Sequence, residues 1–386
     1  MRPLRLGMVG GGPGAGIAPS HRRAARLDGR FDFVAGAFSR SAEANRAMGA
    51  ELGISPERVY SDFAAMAQAE AKRPDGIECV SIVTPNDTHA AASLAFIRNG
   101  IDVICDKPMT TALADAIAIE QAAAERGVLF ALTHNYSAYP MVAEARHQVD
   151  SGALGAIRVV TVEYAQGTRN RLLEAEGDAK MAWRVNAAIA GPSTVLGDLG
   201  THAHHLLRRI TGLEIATLSA ELSAIVPGRI ADDNAFINLR FAGGARGQFW
   251  ASMVAAGNGH GLRIRVFGEK AGLHWDQERP DELHLRADNA PYRVLRRGEA
   301  YLCDAARHLS RTKAGNPEGY FGAFGNVYAD AAEVISARRD GRVANPLACS
   351  FATARDGVLG MAFVEAAVAS HANGGAWTAL MPHPHA

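Results

Sequence analysis

Surplus charge is the first thing this chain lacks: 40 Lys and Arg stand against 40 Asp and Glu. Without a basic excess there is no electrostatic footprint for nucleic acid or an anionic membrane surface. Cysteine is also sparse. Cys79, Cys105, Cys303 and Cys349 are scattered, with no C-x-x-C. That pattern excludes a disulfide framework and a thiolate zinc site, and suits buried thiols in a reducing compartment. No apolar run is long enough to span a bilayer, and no signal-peptide core opens the chain. A soluble cytoplasmic protein is expected. Internal repeats and low-complexity linkers are missing as well. The ending at His383 and His385 reads as a solvated tail, and no metal site is expected.

What is present is length and apolar content. With 386 residues and 48% hydrophobic residues, two domains with separate cores are expected. The chain is organised around its start. A short apolar run, Leu4 to Val9, leads into Gly10, Gly11, Gly12, Pro13, Gly14, Ala15 and Gly16. Glycine reaches positive φ and puts no side chain between a ligand and the backbone. Residues 17–27 read as a helix, with Pro19 tolerated in its first turn. A strand, a glycine loop and a helix N-terminus together make an anion site. Gly10-x-Gly12 followed by Ala15 fits the G-x-G-x-x-G/A dinucleotide fingerprint, with a second strand at the expected distance over 31–38.

The first third then alternates strands and helices. Ser41 caps a helix over 42–52, residues 59–60 read as a short strand, and Asp62 caps the next helix. Strands follow over 79–83, 102–105 and 129–133, with helices over 89–98 and 112–126. This is a doubly wound parallel sheet, in which ligands sit beyond the carboxyl ends of the strands. The loops to watch carry Ser39, Arg40, Thr84, Pro85, Asn86, Asp106, Lys107, Asn135 and Tyr136. After Asp150 the pattern changes. A strand over 157–164 and an irregular stretch over 166–191 precede a helix and six period-two runs between 215 and 285. Gly243-Gly244 marks a hairpin, and two late helices cover 319–338 and 353–371. The expected fold is an α/β Rossmann domain over 1–135. An α+β domain with a large open, mostly antiparallel sheet follows over 136–386, and its last helix can pack back on the first domain.

Two stretches carry candidate chemistry. On the helix after Gly191-Pro192, Leu199, Ala203, Leu206, Leu207 and Ile210 share a core face. At about 100° per residue, Asp198, His202, His205 and Arg209 fall on a separate stripe. A carboxylate four residues before an imidazole can orient it and raise its basicity. The plainer alternative is a capping Asp198 with surface histidines. Asp106-Lys107-Pro108 ends a strand at the ligand edge, where proline fixes the direction of the amine. An amine in a closed site beside a cationic nicotinamide can accept a proton near neutrality. An exposed lysine at a strand end is the alternative there.

The glycine loop, Thr84-Pro85-Asn86 with His89, Asp106-Lys107-Pro108, Trp183-Arg184 and Gly197-Asp198-x-x-x-His202 occur in that order over nearly the whole chain. Together they resemble the Gfo/Idh/MocA family (glucose-fructose oxidoreductase, inositol dehydrogenase and relatives). The resemblance implies NAD(P)-dependent oxidation of a secondary alcohol on a sugar, cyclitol or similar polyol. It implies a homodimer or homotetramer built through the open sheet. By position, Lys107 matches the catalytic lysine, Asp198 and His202 match the substrate-binding, proton-relaying pair, and Thr84, Pro85, Asn86 and His89 match the nicotinamide-side loop. Asp106 stands where the family usually has glutamate. Ser39-Arg40 stands where an NAD enzyme often has an aspartate for the ribose, so NAD and NADP both remain open.

The implied chemistry is hydride transfer. The substrate hydroxyl lies between Lys107 and His202, one of which takes its proton, while Asp198 steadies the imidazole. Asn135, Tyr136, Trp183, Arg184, His205 and the loop over 258–260 are the expected small-molecule contacts. Trp183 would stack on a sugar face and Arg184 would fork onto paired oxygens. Two alternatives are an NAD-dependent glycoside hydrolase working through transient C3 oxidation and a non-catalytic dinucleotide sensor.

Overall fold

A computed structural model describes residues 2–177, 183–184 and 186–380. The histidine-containing tail expected to be solvated lies outside the described residues. The chain forms two compact units. One comprises Met1–Thr110, Ala114–Ala138 and Tyr320–Val358; the other comprises Thr111–Leu113, Tyr139–Gly319 and Leu359–Ala386.

The first unit is built on five parallel strands, β1 (Leu4–Gly10), β2 (Phe31–Ala37), β3 (Cys79–Val83), β4 (Asp102–Cys105) and β5 (Phe130–Leu132), in the order β2-β1-β3-β4-β5. The helices are α1 (Ala18–Leu27), α2 (Ala42–Glu51), α3 (Phe63–Glu70), α4 (His89–Arg98) and α5 (Leu113–Arg126). Ser41 and Asp62 cap as their side chains predict, accepting from Ala44 N at 3.3 Å and Ala65 N at 2.8 Å. The strand expected over 59–60 is instead one parallel bridge, Val59 to Gly36. Pro56 starts a short 3₁₀ turn directly before it, which leaves no length for a ladder. Strand order reverses between β1 and β3, so the crevice for a ligand opens at their carboxyl ends, beside the glycine loop and Thr84.

The expected boundary at 135/136 falls near the observed break between Ala138 and Tyr139, but residues 320–358 return to the first unit. The reason is apolar packing. Phe324, Tyr328, Ala331 and Ile335 of the helix Gly319–Arg339 close the core formed by Leu4, Leu6, Cys79, Ile104 and Ala131. Its apolar residues alternate with small ones on all sides, so nothing in its own pattern says which sheet it covers.

The second unit holds nine strands: β6 (Ile157–Ala165), β7 (Ile215–Ser223), β8 (Asn234–Phe241), β9 (Arg246–Ser252), β10 (Gly261–Gly268), β11 (Ala271–Asp276), β12 (Glu282–Ala287), β13 (Arg293–Arg296) and β14 (Thr378–Ala379). They lie in the order β13-β12-β11-β10-β6-β9-β8-β7-β14. Every neighbouring pair is antiparallel except β6 with β9. Gly244, at φ 90, turns the β8–β9 hairpin. The edge strands β13 and β14 are too short to show a period-two pattern. Helix α6 (Pro140–Asp150), which the periodicity does not announce, packs with α7 (Thr201–Thr211) on one face of the sheet. The alternation is clear in β8, where Ala235, Ile237, Leu239 and Phe241 are buried while Phe236, Asn238 and Arg240 face out. No helix among the described residues is long and apolar enough to cross a membrane.

Candidate active site

The glycine loop is shaped by close approaches. Gly10 and Gly11 have φ 82 and 79. A Cβ on Gly10 would stand 2.9 Å from Val83 C and O, and one on Gly11 would stand 2.7 Å from Ala18 Cβ. Gly12 donates its N–H to Phe38 O at 3.1 Å, so its role is to let β1 and β2 converge. Pro13 and Gly14 are exposed, and no atom lies within 4 Å of the Cβ position of Gly14. Backbone is therefore open to a ligand at Gly14, next to Ala15, and closed at Gly10 and Gly11. The first turn of α1 has no side-chain cap and no acidic residue. The positive end of its helix dipole suits a pyrophosphate. Arg22 braces the loop by donating to Gly11 O at 3.0 Å.

At the end of β2, half-buried Ser39 and exposed Arg40 line a cavity of about 480 Å³ together with Asn45, Arg46 and Ser61. No acidic side chain lines it. Ser39 Oγ accepts from Ser41 N at 3.2 Å, and Asn45 is fixed between Phe38 N and Tyr60 O, both at 2.7 Å.

The ends of β3, β4 and β5 meet over a buried polar network. His89 is fully buried, with Nδ1 2.8 Å from Pro108 O and Nε2 3.0 Å from Thr84 O. Both partners only accept. A neutral ring therefore bonds one of them and a charged ring both. Burial pulls the ring's pKa down, with Asp106 pulling the other way. Both ring nitrogens of His89 thus face backbone carbonyls, those of Pro108 and Thr84, rather than a ligand. Asp106 has 14% of its side chain exposed and accepts from Thr133 Oγ1 at 3.0 Å. His21 Nε2 lies 3.4 Å from Asp106 Oδ1 but lacks hydrogen-bond geometry, so the contact is electrostatic. Burial alone would raise the Asp106 carboxyl. His21, Lys107 and His89 together outweigh it, and the group is held at about 2. His21 Nδ1 and Ser81 Oγ each lie 2.8 Å from Tyr328 Oη. Burial pushes that phenol far above its ordinary range, so it stays neutral. The next residue, Lys107, is half-buried at the carboxyl end of β4.

Among the polar atoms of this unit that are buried without a hydrogen-bond partner, Thr84 Oγ1 and Asn135 Nδ2 stand just after the carboxyl ends of β3 and β5. An unpaired buried donor or acceptor is costly and calls for a ligand. An amide-bearing cofactor between these loops supplies both an acceptor and a donor, so the residues fit a nicotinamide dinucleotide. Asn135 and Tyr136 sit in a 3₁₀ turn, and the Tyr136 ring lies 6.0 Å from that of Tyr320. Pro85 is exposed and Asn86 half-buried at the loop's tip.

In the second unit Asp198 lies in a π-turn, Leu196–Gly200, that leads into α7. The expected core face is buried throughout, Leu199 at 2% and Ala203, Leu206, Leu207 and Ile210 at 0%. The histidines are buried too. His202 and His205 are each 5% exposed, which corrects the alternative reading of them as surface residues. Asp198 Oδ2 accepts from Arg169 Nη2 at 2.6 Å. Sequence reasoning missed Arg169, which stands in the stretch read as irregular. The His202 ring lies 6.2 Å from that of Tyr164, whose Oη is 3.2 Å from Nδ1 of exposed His260. Trp183 and Arg184 face each other: the guanidinium stands 4.4 Å over the indole. A further cavity, about 590 Å³ on the open sheet face, is lined by Glu163, Phe236, Trp250 and Arg263 among others, and none of the candidate catalytic residues borders it. Among the described residues no cluster of His, Cys, Asp or Glu could hold a metal.

An uncapped anion site at the β1/β3 switch point, a lysine at the next strand end and orphaned polar atoms around it define a dinucleotide-binding oxidoreductase. The family comparison agrees. Residues 4–134 match the oxidoreductase family model with its NAD-binding Rossmann fold, and residues 142–274 match the Gfo/Idh/MocA C-terminal domain. The chain belongs to the Gfo/Idh/MocA family. It is similar to an uncharacterised oxidoreductase, YfiI, of Bacillus subtilis, 36% identical over 97% of this chain and 96% of the relative. It is similar to the solved inositol dehydrogenase homologue of Azotobacter vinelandii in complex with NAD+, with TM-score 0.92, 37% identity and 98% and 97% of the two chains covered. That homologue's complex with NADH and myo-inositol superposes with TM-score 0.90 at 37% identity, covering 98% of each chain.

Proposed function

We propose that this protein oxidises a secondary hydroxyl of a neutral sugar, cyclitol or glycoside with NAD as acceptor. The observation that carries the reading is Lys107, which follows Asp106 just past the carboxyl end of β4, in a unit that matches the NAD-binding Rossmann model. Bound nicotinamide supplies the hydride acceptor. Gly14, next to Ala15, and the α1 N-terminus hold the pyrophosphate; Ser39 and Arg40 meet the adenosine ribose. Thr84 and Asn135 use their unpaired atoms on the nicotinamide side. The proton of the oxidised hydroxyl is taken by Lys107 or by His202. Asp198 accepts from a neighbouring hydroxyl, with Tyr136 and His205 completing the contacts. The solved relative that holds NADH and myo-inositol supports a cyclitol-like substrate.

The partner proposed for the open sheet face is a second copy of this chain. Phe236, 53% exposed, stacks on Trp250 at 6.0 Å, and Phe267 and Val159 are each 42% exposed on the same sheet. Apolar exposure of this kind on a sheet face suits a homodimer or homotetramer.

The test is a spectrophotometric screen of inositols, aldoses and glycosides with NAD and NADP. Stoichiometric NADH from a neutral polyol is the expected result. Sugar released from a glycoside without net NADH would replace this reading with hydrolysis, and cofactor binding with no turnover would replace it with a sensor.

A further inference from the structure

Two cations converge at the end of β2 with nothing to answer them. Arg40 follows Ser39 just past the strand, and Arg46 lies on α2; both are exposed and both line the cavity of about 480 Å³. Among the described residues neither guanidinium enters a hydrogen bond or an ion pair. The acids close by in sequence do not neutralise them. Glu43, on the same helix as Arg46, pairs with neither, and Asp62, beside the lining residue Ser61, is committed to the α3 cap, accepting from Ala65 N at 2.8 Å and from Ser61 Oγ at 3.1 Å. Ser39 Oγ accepts from Ser41 N at 3.2 Å and keeps its own O–H to donate, while Asn45 is held by Phe38 N and Tyr60 O. The cavity therefore offers donors and positive charge, and no carboxylate to accept from a ribose hydroxyl.

We propose that Arg40 and Arg46 form a two-arginine clamp for a phosphate on the adenosine ribose, so that this protein takes NADP as well as NAD. The inference rests on the placement of the adenosine ribose at Ser39 and Arg40, and not on the polyol. A phosphate monoester carries close to two negative charges near neutrality and three acceptor oxygens. A guanidinium is always charged and presents its N–H groups as a fork that matches those oxygens. Two of them balance the charge of one phosphate, and the Ser39 hydroxyl can donate to a further oxygen. NAD in the same place leaves both cations facing an uncharged ribose, which costs it little because both stay solvated. Arg46 is the new element: one arginine beside a ribose can serve either cofactor, whereas a second unpaired one in the same cavity favours the phosphate.

The test needs no turnover and uses the full-length protein. Dissociation constants of NADH and NADPH are read by fluorescence titration, and adenosine 2′,5′-bisphosphate is compared with 5′-AMP in displacing NADH. Wild-type protein should bind NADPH no more than about tenfold more weakly than NADH, with the steeper salt dependence of the two. Arg40→Gln and Arg46→Gln should each raise the ratio of the NADPH to the NADH constant by about tenfold, the scale of a lost charged hydrogen bond. Arg46→Lys should recover part of that loss, and Tm should hold in all three variants because both side chains are exposed. The bisphosphate should displace NADH at lower concentration than 5′-AMP does. A wild type that binds NADPH more than about tenfold more weakly than NADH overturns the inference, and so does an unchanged ratio in either glutamine variant. If a variant does not fold, the competition decides: a bisphosphate no better than 5′-AMP overturns the clamp. Binding of neither NADH nor NADPH overturns the dinucleotide reading and this inference with it, whereas a failure to oxidise any polyol leaves the clamp standing.

Discussion

Asp106 shows how one residue sets the character of a site. A carboxylate mostly out of water costs free energy unless charge or donors surround it. Here His21, Thr133 and the adjacent Lys107 do so. Because its pKa is lowered to about 2 from the ordinary 3.8, its contribution is complete above about pH 4 and is lost as pH falls through 2. The shift corresponds to about 2–3 kcal/mol. Denaturant unfolding from pH 5 to 2 should therefore show a loss of that size that Asp106→Asn does not show; parallel acid limbs in the two proteins would refute the assignment. Tyr328 gives a second residue-scale prediction. Tyr328→Phe strands buried His21 Nδ1 and Ser81 Oγ, so stability should fall by about 1–3 kcal/mol, read from the denaturation midpoint. No change would mean that the hydroxyl is not bonded as described.

At the scale of elements, the glycine loop and the β2 end divide the work on the cofactor. Gly11→Ala places a Cβ against Ala18 at a residue with φ 79. NADH affinity should drop about tenfold or more in a fluorescence titration, since the loop must open to admit the methyl group. Arg40→Asp should raise the ratio of kcat/KM for NAD over NADP by about tenfold, because a carboxylate accepts from a ribose hydroxyl and repels a phosphate. An unchanged ratio would remove Arg40 from the adenosine site. Much of this level was legible beforehand. Caps at Ser41 and Asp62, the buried strand over 79–83 and the core face of α7 follow from local chemistry that tertiary contacts do not override. The partner of Asp198 was not legible. Helical spacing points from Asp198 to His202, whereas Arg169 lies 29 positions away in a patternless stretch. The π-turn that carries Asp198 has no sequence signal either. Burial of His202 and His205 is set by tertiary packing that the helical period of their own stretch does not carry.

At the scale of the whole molecule, the chain returns to its first unit through residues 320–358 after completing most of the second. Sequence order alone suggests one boundary, whereas core packing of Phe324 and Tyr328 makes the assignment discontinuous. The open sheet face predicts self-association. Phe236→Lys should shift the sedimentation coefficient toward that of a monomer while Tm changes little, since the side chain is half exposed in the single chain. An unchanged oligomer, or a monomeric wild type, would contradict the proposed interface.

Of the two groups proposed to take the hydroxyl proton, Lys107 is the one whose loss is most directly measured. The direct measurement is the NADH formation rate of Lys107→Ala against wild type on a polyol that the wild type oxidises, with saturating NAD and cofactor binding verified. The account predicts a fall in kcat of about a hundredfold or more with NAD affinity retained. Wild-type turnover by Lys107→Ala would contradict it.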